Sequence, residues 1–119
     1  MNERDFKERT QKLALRVIRL FETLPKTSAA QIIGGQLLRS ATSIGANYRA
    51  ACRGKSKADV IAKLALVEEE ADESLYWLDL LAESGIITQE KLSSLAKETE
   101  EILAMTVASI KTLRRPART

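Results

Sequence analysis

The chain has 119 residues, a length that matches one domain near the commonest domain size. Gly and Pro are scarce, with five and two residues, and no segment shows the period-two alternation of a β-strand. The single cysteine, Cys52, excludes an intramolecular disulfide. Residues 1–12 lack the apolar core of a secretory signal, and no apolar run is long enough to span a bilayer. We therefore expect one all-α domain over residues 1–119, cytoplasmic and without a membrane partner.

The net charge of +3 is unevenly distributed along the chain. Residues 1–55 hold eleven Lys/Arg and four Asp/Glu, a net of +7, whereas residues 56–119 hold eight and twelve, a net of −4. A basic first hairpin could pair with an acidic second hairpin inside one bundle. The same asymmetry also suits a subunit that presents a basic surface to an anionic partner.

Apolar residues recur at helical spacings and predict four helices, over about 3–24, 28–53, 57–84 and 89–114. The predicted stripes are Phe6, Leu13, Val17, Leu20 and Leu24; Ile33, Leu37, Ala41, Ile44, Tyr48 and Ala51; Val60, Leu64, Val67, Ala71, Leu75, Leu78 and Ala82; and Leu92, Leu95, Thr99, Ile102, Thr106, Ile110 and Leu113. All connections are short, so sequential helices should be antiparallel neighbours. The expected fold is an up-down-up-down four-helix bundle.

Four glycines have predicted structural roles in this arrangement. Gly34 and Gly35 interrupt the second helix at a cost of about 1 kcal/mol each relative to Ala, which predicts a close helix–helix contact there. Gly54 is expected to end the second helix in the left-handed conformation, and Gly85 to end the third.

The third helix carries a partial second apolar stripe, formed by Leu66, Trp77 and Leu81. These residues lie about 100° or more from the main stripe. Either the helix is unusually central, or this face contacts another subunit. We favour a subunit interface, because exposed apolar patches usually mark interfaces.

The composition excludes the usual chemistry of helical bundles. There is no histidine, which removes His-dependent nucleophile systems, His-bound zinc and the Glu-x-x-His ligands of di-iron bundles. An acidic cluster on the third helix could in principle bind a metal, but a solvated or paired face fits it better; it consists of Glu68, Glu69, Glu70, Asp72 and Glu73. Without a histidine to activate it, we expect Cys52 to be an inert thiol. We expect no enzyme activity and no cofactor.

A polar row runs along the second helix, where Arg39, Ser43 and Asn47 recur every four residues and share one face. Arg39 could meet Glu70 or Glu73 on the antiparallel third helix, which would give a partly buried network that fixes the helix register. Contact with a ligand or partner is the alternative.

A basic row runs along the first helix and flanks its apolar stripe; it consists of Arg9, Lys12, Arg16 and Arg19. If the first and fourth helices are neighbours, this row could join Arg114 and Arg115, with Lys111 and Arg118 nearby, in one phosphate-binding patch. No aromatic residue interleaves the row, so nucleic-acid binding would be electrostatic and indifferent to sequence. A merely solvated face is the alternative.

One family resemblance covers nearly the whole chain. It is carried by Gln36–Ala50, which reads QLLRSATSIGANYRA, by Arg53-Gly54, and by Glu69–Ser74 and Tyr76–Leu78. These segments resemble the small bacterial proteins first noted in intervening sequences of 23S rRNA genes. Many members have a proline after the Ser-Ile pair, where this chain has Gly45.

The resemblance implies a homopentameric ring of four-helix bundles around a channel and implies no reaction. A related branch comprises accessory proteins of diversity-generating retroelements, which bind nucleic acid and a reverse transcriptase. We therefore predict a ring-forming, non-enzymatic scaffold or accessory protein that binds RNA or DNA. The alternative is a structural interaction module that engages a reverse transcriptase or another protein and has no nucleic-acid role.

Overall fold

The computed structural model describes residues 2–116, and four helices occupy most of this range. They are α1 (Glu3–Thr23), α2 (Ser28–Cys52), α3 (Lys57–Glu83) and α4 (Gln89–Arg114). Each helix begins at the predicted residue and ends within one residue of the predicted end. No strand occurs in the described part of the chain. The all-α, four-helix class is therefore confirmed.

Side-chain caps explain why the helices begin where they do. Asn2, Thr27, Ser56 and Thr88 each precede a helix, and each side chain accepts a hydrogen bond from the backbone N–H three residues on. Such caps satisfy one of the N–H groups that the first turn leaves without an intrahelical partner.

The helices form an elongated body of 57 × 21 × 21 Å. α1 packs on α2 and α4, and α3 packs on the same two helices; the contact is most extensive between α2 and α3 and least extensive between α1 and α4. Along α1, Phe6 contacts Tyr48 of α2 with 4.4 Å between ring centroids. Further on, Phe21 lies beside Gly34. Residues later in α1 therefore contact residues earlier in α2.

The core of α3 differs from the predicted stripe in its second half. The buried positions are Leu64, Val67, Ala71, Ser74, Leu78 and Leu81, spaced alternately by three and four. Leu75 and Ala82, predicted to be core, are half-buried. The cause is Ser74, whose hydroxyl lies 2.9 Å from that of Ser40 on α2. Because a pair of serine hydroxyl groups occupies this core position, the position does not appear in the pattern of apolar residues.

This shift corrects the predicted subunit interface. Leu81 is fully buried in the core of its own subunit and cannot contact another one, so that part of the prediction is wrong. Trp77 is half-buried and packs against the core. Of the three residues, only Leu66 is well exposed, with 39% of its surface accessible.

The glycines have different roles from one another. A Cβ on Gly34 would lie 2.3 Å from Leu24 Cδ1, so the close contact predicted here is present, whereas a Cβ on Gly35 would meet nothing within 4 Å. Gly54 does not adopt the predicted left-handed conformation; among the described residues only Gly85 has a positive φ, of 77°. Gly54 is instead needed for space, because its Cβ would lie 2.4 Å from Val60 Cγ2.

Candidate functional site

The first member of the predicted basic row, Arg9, is already paired within the bundle. Its guanidinium makes two hydrogen bonds to Glu98 of α4, Nε to Oε2 at 2.9 Å and Nη2 to Oε1 at 2.7 Å. Nη2 also contacts Glu101 at 3.0 Å. The hydrogen bonds with Glu98 are the main reason why the pKa of Arg9 is raised. A phosphate would have to displace two carboxylates, so Arg9 serves the α1–α4 contact.

The rest of the row lies apart from the C-terminal arginines. Lys12 and Arg19 are exposed, and Arg16 donates from Nη2 to Ser94 Oγ at 2.8 Å. Because Arg114 lies twenty residues beyond Ser94 on α4, it is about 30 Å further along the bundle. The sequence therefore predicted one patch where the structure has two separate groups of cations. Arg118, also assigned to this patch, lies outside the described residues.

The C-terminal arginines belong to a basic group at the other end of the bundle. A small apolar cluster of Ala51, Leu64 and Ile110 joins the end of α2, the start of α3 and the end of α4. Segments 2–8, 49–63 and 109–116, which form this end, hold ten Lys/Arg and four Asp/Glu, a net of +6. The other residues of 2–116 hold eight and twelve, a net of −4.

We call the cations around this cluster the basic end. Its members are Arg49, Arg53, Lys55, Lys57, Lys63, Lys111, Arg114 and Arg115. None of the eight forms an ion pair with another residue of 2–116. Asp59, the acidic residue closest in sequence to several of them, accepts a hydrogen bond from the Lys55 backbone N–H. The basic end is thus a surface of uncompensated positive charge.

Sequence reasoning missed five of these eight residues, those around the α2–α3 connection. The predicted order of the helices already indicated that these residues lie near the C-terminal arginines. In an up-down-up-down chain, the second connection and the end of the fourth helix lie at the same end of the bundle. Lys55 and Arg114 should therefore have been grouped together rather than Arg16 and Arg114.

The predicted polar network forms in part. Arg39 bridges from α2 to α3, where it contacts Glu73 and lies 3.3 Å from Glu70. Trp77 donates from Nε1 to Glu73 at 3.0 Å, and this hydrogen bond is the first cause of the lowered pKa of Glu73, followed by that with Arg39. These contacts hold α2 and α3 in register.

The other two members of the polar row serve their own helix. Ser43 Oγ donates to the carbonyl of Arg39 at 2.8 Å, and Asn47 Nδ2 donates to the carbonyl of Ser43 at 3.0 Å. Neither is within hydrogen-bond distance of the glutamates. Their i to i−4 bonds satisfy the side chains without contributing to the register.

Cys52 lies half-buried beside Tyr48 and Glu3, where α1 begins and α2 ends. Burial raises the pKa of the Cys52 thiol, and a hydrogen bond with Glu3 raises it further. Burial also raises the pKa of Tyr48. A thiol kept in its protonated form is a poor nucleophile.

Residues 2–116 offer neither a metal site nor a membrane-spanning helix. No group of three or more Asp, Glu or Cys side chains there is arranged to hold a metal ion, the acidic cluster of α3 included. None of the helices in this range is long and apolar enough to cross a membrane.

The geometry describes a small all-α protein of four packed helices with a charged end. The family model of the 23S rRNA-intervening sequence proteins matches residues 2–108, so the chain belongs to that family and the resemblance noted in the sequence is confirmed. A search of the curated proteins found no match. Among solved structures, the chain is similar to a protein of unknown function from the S23 ribosomal protein family of Bacteroides thetaiotaomicron VPI-5482. That protein is 36% identical, with 93% of this chain and 99% of that one covered and a TM-score of 0.87.

Proposed function

We propose that this protein is a cytoplasmic, non-enzymatic accessory protein that assembles into a ring and binds the phosphate backbone of RNA or DNA through its basic end. The observation that carries the proposal is the group of eight cations without an ion pair inside the described chain. Lys and Arg side chains of this kind gain affinity by releasing the counterions that surround nucleic-acid phosphates. This site replaces the patch on α1 that the sequence suggested.

The bundle in this proposal is antiparallel and up-down-up-down. It is supported by the pairing of Phe6 with Tyr48 and of Phe21 with Gly34 between α1 and α2. The contact of Arg16 with Ser94 also supports it. A homopentamer follows from the family resemblance. In a ring whose bundles stand parallel to the axis, every basic end faces the same side.

Binding of this kind should be indifferent to nucleotide sequence. None of the eight cations has an aromatic residue next to it in the chain except Arg49, which follows the half-buried Tyr48. Sequence-tolerant binders with high affinity usually stack bases on exposed aromatic rings, and recognition of particular bases needs hydrogen bonds to their edges. Charge alone therefore accounts for the expected affinity, which should fall steeply with salt.

The experiment compares two triple variants that remove the same number of charges. The first carries Arg53→Gln, Lys55→Gln and Lys57→Gln at the basic end. The matched control carries Lys12→Gln, Arg16→Gln and Arg19→Gln on α1. Binding to a single-stranded RNA of mixed sequence is followed by fluorescence anisotropy over a series of salt concentrations.

Wild type and control should show the same salt dependence. The basic-end variant should lower the slope of log K against log salt by about 2, which is three contacts at about 0.7 each for single strands. An equal decrease of the slope in both variants would show that RNA binds to positive charge over the whole surface and not to the basic end. If the wild-type protein does not bind the RNA even at low salt, the proposal of nucleic-acid binding is refuted.

A second function, an interaction module for a protein partner such as a reverse transcriptase, is favoured by a separate observation. Large apolar side chains remain exposed on α2 and α3, with Ile32 at 66% and Tyr76 at 55% of their surface accessible. Exposed apolar patches mark interaction surfaces. A pentamer that ignores RNA would support this alternative.

A further inference from the structure

A groove of about 600 Å³ runs between α3 and α4, beside the connection that joins them, and we call it the α3/α4 groove. Leu78 of α3 and Leu92 of α4 form its floor, and each has no more than 3% of its surface accessible. Three small side chains also line the groove and leave the space between the helices unfilled; they are Ala82, Ser93 and Ala96. The surface here is therefore concave, with an apolar base.

The register of α3 explains the apolar wall of the groove. Because Ser74 takes a core position by pairing with Ser40, its neighbour Leu75 lies outside the core. Leu75 and Ala82, which the apolar spacing assigned to the core, are half-buried and line the groove instead. Two positions of the predicted apolar stripe thus remain available for a contact outside the bundle.

Acidic side chains predominate at the rim of the groove. Asp79, Glu83 and Glu100 are exposed there. Among the described residues that line the groove, Lys97 is the one cation. None of these four side chains forms an ion pair with another residue of 2–116. Uncompensated negative charge therefore surrounds an apolar floor, and such a cleft attracts cations.

A positively charged amphipathic helix fits both properties of the groove. Helices that bind in grooves place apolar side chains at positions i, i+3, i+4 and i+7. Leu75 and Ala82 are also seven residues apart, so the apolar wall is about 10 Å long, or two helical turns. Lys or Arg side chains beside the apolar stripe would pair with the carboxylates of the rim. The same carboxylates would repel a phosphate backbone.

The groove lies far from the basic end. α3 begins at the basic end with Lys57, and Asp79 lies twenty-two residues further along this helix, about 33 Å away. Partners of opposite charge can therefore occupy the two sites of one subunit at the same time.

We propose that the α3/α4 groove binds a basic amphipathic helix of a partner protein. The inference goes beyond the proposed function, because the groove takes a cationic protein segment whereas the basic end takes phosphate. It does not depend on assembly into a ring. A subunit that carries both sites would hold a nucleic acid and a protein partner together.

The test uses three fluorescein-labelled peptides of about 14 residues, or four helical turns, and follows their binding by fluorescence anisotropy. The first peptide has Leu along one helical face and Lys on both sides of that face. The second contains the same residues in an order that gives no apolar face. The third has Glu in place of every Lys. Only the first combines an apolar stripe with positive charge.

Two variants of the protein separate the groove from the general surface charge. Asp79→Asn with Glu100→Gln removes two carboxylates from the rim, and Ser93→Phe fills the groove at an exposed position without changing the charge. The matched control is Glu22→Gln with Glu69→Gln, because both carboxylates are exposed and neither lines the groove. Far-UV circular dichroism checks that each variant is folded, and light scattering compares its mass with that of wild type.

Wild type should bind the first peptide and neither of the other two. The rim variant should weaken this binding by about three- to tenfold, as expected for two partly exposed ion pairs, and the control should leave it unchanged. Ser93→Phe should abolish binding at the concentration that half-saturates wild type. Equal binding of the reordered peptide, equal loss in the rim variant and the control, or no binding by wild type would overturn the inference.

A second copy of this chain in the groove would give a different result. Ser93→Phe protein with a lower mass than wild type would show that another subunit fills the groove, and this outcome would also overturn the inference.

The outcomes are distinct from a failure of the proposed function. The rim variant should not weaken RNA binding, and the basic-end variant should bind the first peptide as wild type does. A protein that binds RNA and not the peptide would refute this inference alone. A protein that binds the peptide and not RNA would refute the proposed function alone.

Discussion

Leu81→Ala provides a direct test of the register assigned to α3, because the sequence pattern put Leu81 on the surface and the structure puts it in the core. Leu81 is fully buried, whereas Leu66 on the same helix is 39% exposed. Truncating a buried leucine removes its transfer free energy and leaves a cavity, which together cost about 2–5 kcal/mol. The same change at Leu66 removes partly hydrated methyl groups and should cost about 1 kcal/mol.

The assay is thermal unfolding followed by far-UV circular dichroism, with all proteins at one concentration because assembly would make the apparent stability depend on it. Leu81→Ala should lower the melting temperature by about 10 °C, and Leu66→Ala by only a few degrees. The mass in light scattering should stay that of wild type for Leu81→Ala. A loss no greater than that of Leu66→Ala, or dissociation without loss of stability, would show that the register is wrong.

Three further predictions follow from the local contacts. Gly34→Ala should lower the free energy of unfolding by about 1–3 kcal/mol through overpacking, while Gly35→Ala should raise it by up to about 1 kcal/mol; urea titrations of this adjacent pair decide both. The folded-state pKa of Glu73 is lowered, so its stabilisation is present above its ordinary value of 4.5 and is lost as pH falls through the folded-state pKa. Wild type and Glu73→Gln should therefore converge in stability in acid and differ at neutral pH. Arg9→Gln should cost about 1 kcal/mol, and a double-mutant cycle with Glu98→Gln should show that the two changes are not additive.

The helices were predictable because several local signals agree. Asn, Thr or Ser residues precede each helix at capping positions, and the apolar spacing fixes which face is buried. In the second half of α3 the pattern misled because a core position there is polar. Since Ser74 is buried by pairing with Ser40, the contact that decides the second half of α3 is between two helices and leaves no trace in the apolar spacing.

The charged surfaces were less predictable, because the two halves of the chain do not correspond to the two ends of the molecule. Each hairpin contributes residues to both ends of the bundle. The excess of positive charge in residues 1–55 is therefore shared between the basic end, through Arg49 and Arg53, and pairs such as Arg39–Glu70 in the middle. The net charge summed along the sequence does not show how the cations are distributed over the bundle, whereas the order of the helices does.

The ring and the basic end would strengthen each other. In a ring closed by rotation, the basic ends of all subunits lie on one side, and a strand that touches one end meets the next at high local concentration. Neutralising charges in one subunit of a mixed ring should then weaken binding less than neutralising them in all subunits. If assembly contributes in this way, protein diluted until light scattering shows single subunits should keep the local contacts of Arg53 and Lys57 with phosphate and lose the multivalent part of the affinity. Its salt slope should fall toward that of a single subunit, and an unchanged slope would show that the ring contributes nothing to binding.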